Sequence, residues 1–219
     1  MSTVIIHGSA NSQFLRTARM ACEEKGVDYE LQPVGSNTLP DLKSDAHKKL
    51  HPFGRIPVMQ HGDFTLFETA AIARYVDEAF EGPALQPADL KQRAVMNQWI
   101  SATNHYLVDA MIANFVVQFA FPSGPDGKPD MAKIEAGKPR IREYNEILDR
   151  HLDGRTYLAG DAVSIADLLL APIAHYVGSM PGGLPLFDGL ENLGRWWYAM
   201  EKRDSFQATK PPMLEKQAA

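Results

Sequence analysis

The sequence predicts an α+β half followed by an all-helical half. Strand-like and helix-like periods alternate through residues 1–80. A break rich in glycine and proline follows at residues 81–88, and beyond it only helical spacing remains. The expected organisation is therefore a mixed domain over 1–80, a linker over 81–88 and a helical domain over 89–219.

Each element has a local reason. Val4-Ile5-Ile6-His7 is a short β-rich run that stops at Gly8. Between Phe14 and Lys25, Leu15, Ala18, Ala21 and Cys22 recur at helical spacing, and Gly26 ends the pattern just after a basic residue. Tyr29, Leu31 and Val34 predict a second strand, which makes the opening a right-handed β-α-β unit with parallel strands. Asp41 to Lys49 is a polar helix candidate. Ile56 to Met59 and Phe64 to Phe67 flank His61-Gly62-Asp63, a hairpin with turn chemistry between its strands. From Glu68 to Phe80, Ala71, Ile72, Tyr75, Val76 and Ala79 form a helical stripe.

In the second half a long helix is expected over roughly Asp89 to Phe121. Val95, Trp99, Ala102, Tyr106, Ala110, Ala113 and Val117 would be its buried face. A second stripe, Met96, Ile100, Thr103, Leu107 and Met111, could line an apolar pocket, although core packing is the safer reading for most of these residues. A further helix is best supported from Pro139 onward through Ile141, Tyr144, Leu148 and Leu152, with Pro139 opening or kinking it, and others are expected over Ser164 to Tyr176 and Glu191 to Arg203. The tail from Thr209 is polar and proline-bearing, and is expected to be loose.

Composition removes several function classes. The 219 residues are 45% hydrophobic and 22% charged, with a formal charge of −5, which is globular composition and argues against nucleic acid or an anionic membrane as partner. Cys22 is the single cysteine, so neither an intrachain disulfide nor a C-x-x-C pair is possible. The first apolar run is too short for a signal-peptide core. The later one, Ile165 to Ala174, holds Asp167 and Pro172 and does not suit a membrane span. A cytoplasmic protein is expected. The histidines are taken to offer neither an i, i+4 pair nor an H-E-x-x-H arrangement, so no metal is expected, and no phosphate loop appears.

Two short motifs carry chemistry. In Phe53-Gly54-Arg55-Ile56-Pro57-Val58, Pro57 sits at a strand start and has no N–H to offer a neighbour. A cis Ile56–Pro57 bond would turn the Ile56 N–H and C=O outward, where an extended peptide can pair with them. A trans proline at a strand start is the ordinary alternative. At Glu68-Thr69 a strand gives way to a helix. Thr69 can act as the N-cap, the open amides attract a carboxylate, and Glu68 can hold an ammonium. Such a pair suits a zwitterionic head, although simple capping would also explain it.

The Ile-Pro pair, the gap to Glu68-Thr69 and the following Ala-Ala-Ile-Ala-Arg-Tyr resemble the glutathione S-transferase N-terminal domain. The stretch from Asn11-Ser12 to Tyr29-Glu30-Leu31 is similar to the serine-type, phi-like branch and its bacterial relatives. Val163-Ser164-Ile165-Ala166-Asp167-Leu168 resembles the family's capping box, a structural element that starts a core helix. The likeness covers roughly Val4 to Arg203. It implies a thioredoxin-like domain followed by a helical domain, a homodimer, and glutathione as cosubstrate. By resemblance, Ile56, preceding Pro57 and following Arg55, would pair with the cysteinyl part, Glu68 and Thr69 would hold the γ-glutamyl group, and Lys43 would meet the glycine carboxylate.

Glutathione reacts as thiolate, so a donor is needed beside the sulfur. Ser9, Asn11 and Ser12 lie between the first strand and first helix, and the resemblance sets Ser12 at the catalytic serine, with Asn11 as the rival. Ser12 also suits the N-cap of the helix. Cys22 falls inside the apolar stripe and reads as packing, and Arg16 reads as a surface ion-pair partner. A small hydrophobic electrophile would meet the helical domain at Met96, Ile100 and Thr103. The expected activity is glutathione transfer to such electrophiles. The alternatives are a glutathione-dependent disulfide or peroxide reductase and a non-catalytic transferase-like module.

Overall fold

A computed structural model describes residues 3–34 and 39–215 of the chain. It divides into two compact units: Met1–Gln86 together with Lys202–Ala219, and Pro87–Glu201. The break at residues 86 and 87 falls within the expected linker. The closing residues, however, join the first unit rather than the helical one.

The first unit is built on a four-stranded sheet in the order β2-β1-β3-β4, with β1 Val4–His7, β2 Tyr29–Gln32, β3 Val58–His61 and β4 Phe64–Phe67. β1 and β2 are parallel, whereas β1/β3 and β3/β4 are antiparallel. Helix α1 (Gln13–Lys25) is the crossover between β1 and β2. Gly26, at φ 65°, closes it with its N–H directed at the carbonyls of Cys22 and Glu23. Only a residue tolerant of the left-handed region fits there cheaply. The polar helix expected over Asp41 to Lys49 is two short ones, α2 (Leu39–Leu42) and α3 (Asp45–Leu50). Ser44 divides them because its side chain accepts from His47 N and so starts a new helix. Helix α4 (Thr69–Ala79) packs on α1, and Ile6, Leu15, Ala18, Cys22, Val58, Ile72 and Val76 are all buried between sheet and helices.

The chain end completes this unit. Arg16 is fully buried and is not the surface residue its charge suggested. Its guanidinium donates to the Phe206 carbonyl at 2.9 Å and to Thr209 Oγ1 at 3.3 Å, and lies 4.0 Å above the Phe206 ring. Arg19 reaches the Ala208 carbonyl, and Glu24 accepts from Arg203 and Ser205. These bonds strap helix α10 (Asp204–Ala208) along α1. Thr209 is buried and Pro212–Glu215 forms a further turn, so the tail expected to be loose is packed up to that point.

The second unit is helical. The long expected helix is present, but α5 (Leu90–Ala102) passes into a π-helical stretch, Thr103–Val116, before α6 (Val117–Ala120). Its buried face is the second stripe: Met96, Ile100, Thr103, Leu107 and Met111 are each 5% exposed or less. The stripe expected to be buried includes Tyr106, which is 61% exposed. Trp99, Ala102, Tyr106 and Leu107 line an open groove with Tyr144 and Ile147. Helix α7 spans Met131–His151, beginning before Pro139 because Asp130 caps it by accepting from Lys133 N. Helix α8 (Ile165–Ser179) is apolar on all sides and forms the core, and α9 (Glu191–Glu201) packs against it.

Candidate active site

Strand register brings the sequence motifs together. His7 pairs with Val58, and Val58 pairs with Phe67. The Gly8–Ser12 loop leaves β1 at that level, Ile56–Pro57 enters β3 there, and Glu68–Thr69 leaves β4 there. All three motifs thus share one end of the sheet. Gly8 tightens the junction, since a Cβ on it would lie 2.5 Å from Leu15 Cδ1 and 3.2 Å from Ile56 Cβ.

The Ile56–Pro57 bond is cis, the less common of the two expected geometries. Among the described residues no hydrogen bond engages the Ile56 N–H or carbonyl. The preceding carbonyl, that of Arg55, accepts from His47 Nε2 at 2.7 Å, while the Arg55 side chain is exposed. A peptide strand therefore has an open backbone edge at Ile56.

The start of α4 differs in one detail from expectation. Glu68, not Thr69, occupies the cap position, and its side chain makes no cap bond. Its backbone stands at φ 72°, ψ 117°, outside the comfortable regions for a residue with a Cβ. The first helical bond is from Ile72 N to the Glu68 carbonyl at 2.9 Å, which leaves the amides of Thr69, Ala70 and Ala71 without backbone partners among the described residues. Thr69 is buried, whereas the Glu68 carboxylate is exposed beside them. A donor cluster and an adjacent carboxylate suit the carboxylate and ammonium of an amino acid.

Ser12 is the N-cap of α1, and its Oγ accepts from Leu15 N at 3.3 Å. That bond uses a lone pair. Among the described residues the Ser12 hydroxyl proton has no acceptor. Capping and thiolate stabilisation therefore draw on different parts of one hydroxyl and do not exclude each other. Asn11 is engaged elsewhere: its Oδ1 accepts from Met213 N at 3.0 Å. Ser9 Oγ accepts from the Asn11 N–H at 3.3 Å. Lys43 is exposed at the turn between α2 and α3.

Other reactive groups are accounted for. Cys22 is buried, and burial first, then the charge of Glu23, pushes its thiol up to about 12, far from a nucleophile's range. His47 and His51 lie four residues apart, a spacing sequence reading passed over, and their rings stack at 6.4 Å. His51 also packs 4.7 Å from Phe67, and burial lowers its pKa although Glu68 pulls the other way. Among the described residues no cluster could hold a metal ion.

A mixed sheet in this order, with a helical unit following it, is the architecture of a glutathione transferase. Comparison with known proteins gives the same family: residues 11–79 match the glutathione S-transferase N-terminal domain, and residues 108–204 match the C-terminal domain. Glutathione S-transferase 4 of Zea mays is 34% identical over 200 residues, covering 91% of this chain and 88% of that one. The probable glutathione S-transferase GSTF1 of Oryza sativa subsp. japonica is 31% identical, with 94% of each chain covered. Among solved structures, poplar glutathione transferase F1 superposes with a TM-score of 0.86 at 25% identity over all of both chains. Glutathione S-transferase I from maize, in complex with an atrazine glutathione conjugate, gives 0.85 at 27%, again over both whole chains. The chain belongs to the glutathione S-transferase family.

Proposed function

We propose that the protein transfers glutathione to small hydrophobic electrophiles from a site at the shared end of its sheet. The observation that carries this is the convergence of the Ser12 loop, the open Ile56 backbone and the uncapped start of α4, fixed by the register of His7, Val58 and Phe67. The cysteinyl backbone pairs with Ile56. The γ-glutamyl carboxylate lies on the α4 amides and Thr69, and its ammonium faces Glu68. Lys43 and Arg55 supply positive charge toward the glycine carboxylate.

The Ser12 hydroxyl donates to the sulfur, and the start of α1 adds its dipole. Both favour thiolate over thiol, and lowering the thiol pKa by about two units corresponds to roughly 2.7 kcal/mol. The proton leaves to solvent, and the sulfur lone pair forms the C–S bond. In substitution the leaving group departs with its electron pair; in addition the carbanion takes a proton from water. Ser12 is taken as the donor on the family resemblance, and Asn11, whose Oδ1 accepts from Met213 N, remains the rival. The buried, unreactive Cys22 favours conjugation over reduction through a protein mixed disulfide. Its free thiol also suits a reducing, cytoplasmic setting.

Met96, Ile100 and Thr103 remain the residues proposed to meet the electrophile, although all three are buried in the helical unit and packing is their first role. We further propose pairing with a second copy, which sedimentation would report.

Two substitutions test the site. Ser12→Ala should lower turnover with an aryl halide by about 10- to 100-fold while changing glutathione affinity less than about threefold. Thr69→Ala should weaken glutathione binding by about fivefold, roughly 1 kcal/mol, with turnover at saturation nearly retained. Unchanged turnover in the first variant, or an unchanged dissociation constant in the second, would remove that residue from the site.

A further inference from the structure

We propose a second ligand site, within the helical unit, for a flat aromatic cation of two fused rings. Helices α8 and α9 and the turn Leu184–Phe187 enclose a cavity of about 290 Å³ that contains none of the residues placed at glutathione. A cavity of ~150 Å³ holds one benzene ring, so this one has room for two fused rings.

Its walls show why it is open. Gly178 of α8 and Gly194 of α9 both line it, each inside a helix, where glycine is less favourable than alanine. Neither has a positive φ. A Cβ on Gly194 would meet nothing within 4 Å, and one on Gly178 would meet only Leu184 Cδ2 at 3.7 Å, an ordinary contact. Neither glycine is required by backbone conformation or by close packing, and both stand on the lining of the cavity.

The chemistry of the walls selects the ligand. Trp196 is fixed, 1% exposed, with its Nε1 donating to Asp167 Oδ1 at 2.9 Å. Trp197 lies 6.4 Å from it at 49°, and 5.9 Å from His175. Trp197, half-buried, supplies a face for a flat ring with Trp196 packed behind it, and such faces attract cations. Among the described residues of the lining, Glu201 is the one Asp, Glu, Lys or Arg side chain, and it brings a carboxylate to the rim. Leu184, 69% exposed, stands at the lip as an apolar cover.

The test titrates the full chain calorimetrically with 1-methylquinolinium chloride and with quinoline, its neutral isostere at pH 7.5. Aryl-halide conjugation is measured in parallel. The quinolinium should bind once per chain and at least about fivefold tighter than quinoline. Gly194→Leu fills the void and should weaken binding by about tenfold or more, with conjugation within about twofold of the parent. Should that variant not fold, Gly194→Ala should still weaken binding by about two- to threefold while raising the melting temperature. Glu201→Gln should remove most of the preference for the cation. Saturating S-hexylglutathione should leave the titration unchanged. No binding up to about 5 mM, equal binding by both Gly194 variants and the parent, a preference unaffected by Glu201→Gln, or displacement by S-hexylglutathione would each overturn the proposal.

Discussion

Of the helices that begin at a serine, α1 and α8 give their serines opposite fates. Ser164, ahead of α8, is fully buried with Asp167. The Asp167 carboxylate accepts from the Ser164 N–H and hydroxyl, from Leu158 N and from Trp196 Nε1, at 2.7 to 2.9 Å. Burial raises the Asp167 pKa against the pull of those donors. Ser12, ahead of α1, is half-buried, makes one longer bond at 3.3 Å and keeps its proton uncommitted. Cap identity alone does not separate structure from chemistry. What separates them is whether the hydroxyl's hydrogen-bonding capacity is used up inside the protein.

The contrast can be broken by measurement. Asp167→Ala strands two backbone amides, an indole N–H and a hydroxyl, and should lower unfolding stability by roughly 3–5 kcal/mol, read by denaturant titration. A loss below about 1 kcal/mol would mean that the box is not a structural anchor. Arg16→Met keeps the apolar stem but abandons the Phe206 carbonyl and Thr209, and should cost about 2–3 kcal/mol. Ser12→Ala should cost only about 0.5–1 kcal/mol of stability while turnover suffers as stated above. Equal losses of stability and activity would erase the distinction between the two serines.

The smallest effect is one of pH. Burial would raise the pKa of Glu24, but its bonds to Arg203 and Ser205 and the charge of Arg203 outweigh that and hold it below 4.5. A carboxyl depressed on folding contributes stability that is complete above its unfolded pKa and lost as pH falls through the folded value. The amide protection factors of α10 should therefore fall below pH of about 4.5, and Glu24→Gln should flatten that dependence.

Much of this was legible in the sequence because it was local. The β1 run, the hairpin around Gly62, the Gly26 stop and the pairing of Ser164 with Asp167 all lie within a few residues of their causes. The Ile56-Pro57 and Glu68-Thr69 motifs were visible as residue types, whereas their meeting required the register of three strands. The failures share a physical origin. The spacing supports a helix best from Pro139 onward, with Pro139 opening or kinking it, yet Asp130 already caps α7 and Pro139 lies inside it. Packing is the safer reading for most of the second stripe and the structure buries it, while the first stripe, expected to be the buried face, keeps only Trp99 and Ala110 buried and exposes Tyr106, because both stripes are apolar. Only packing against α7 and α8, along a π-helical stretch with a different pitch, decides between them. The burial of Arg16 depends on partners nearly two hundred positions away, as its bond to Phe206 spans 190 residues, and no local pattern announces it.

The strap on α1 also orders events during synthesis. Arg203, Ser205, Phe206 and Thr209 follow the whole helical unit in the chain, yet they finish the first unit. A nascent chain still holding those residues in the ribosomal tunnel has translated every element of the sheet, but the Arg16 guanidinium within it has not met its acceptors. The first unit to emerge is thus completed only after the helical unit has been made, and α1, which presents Ser12, is locked only once residues 203–209 have followed.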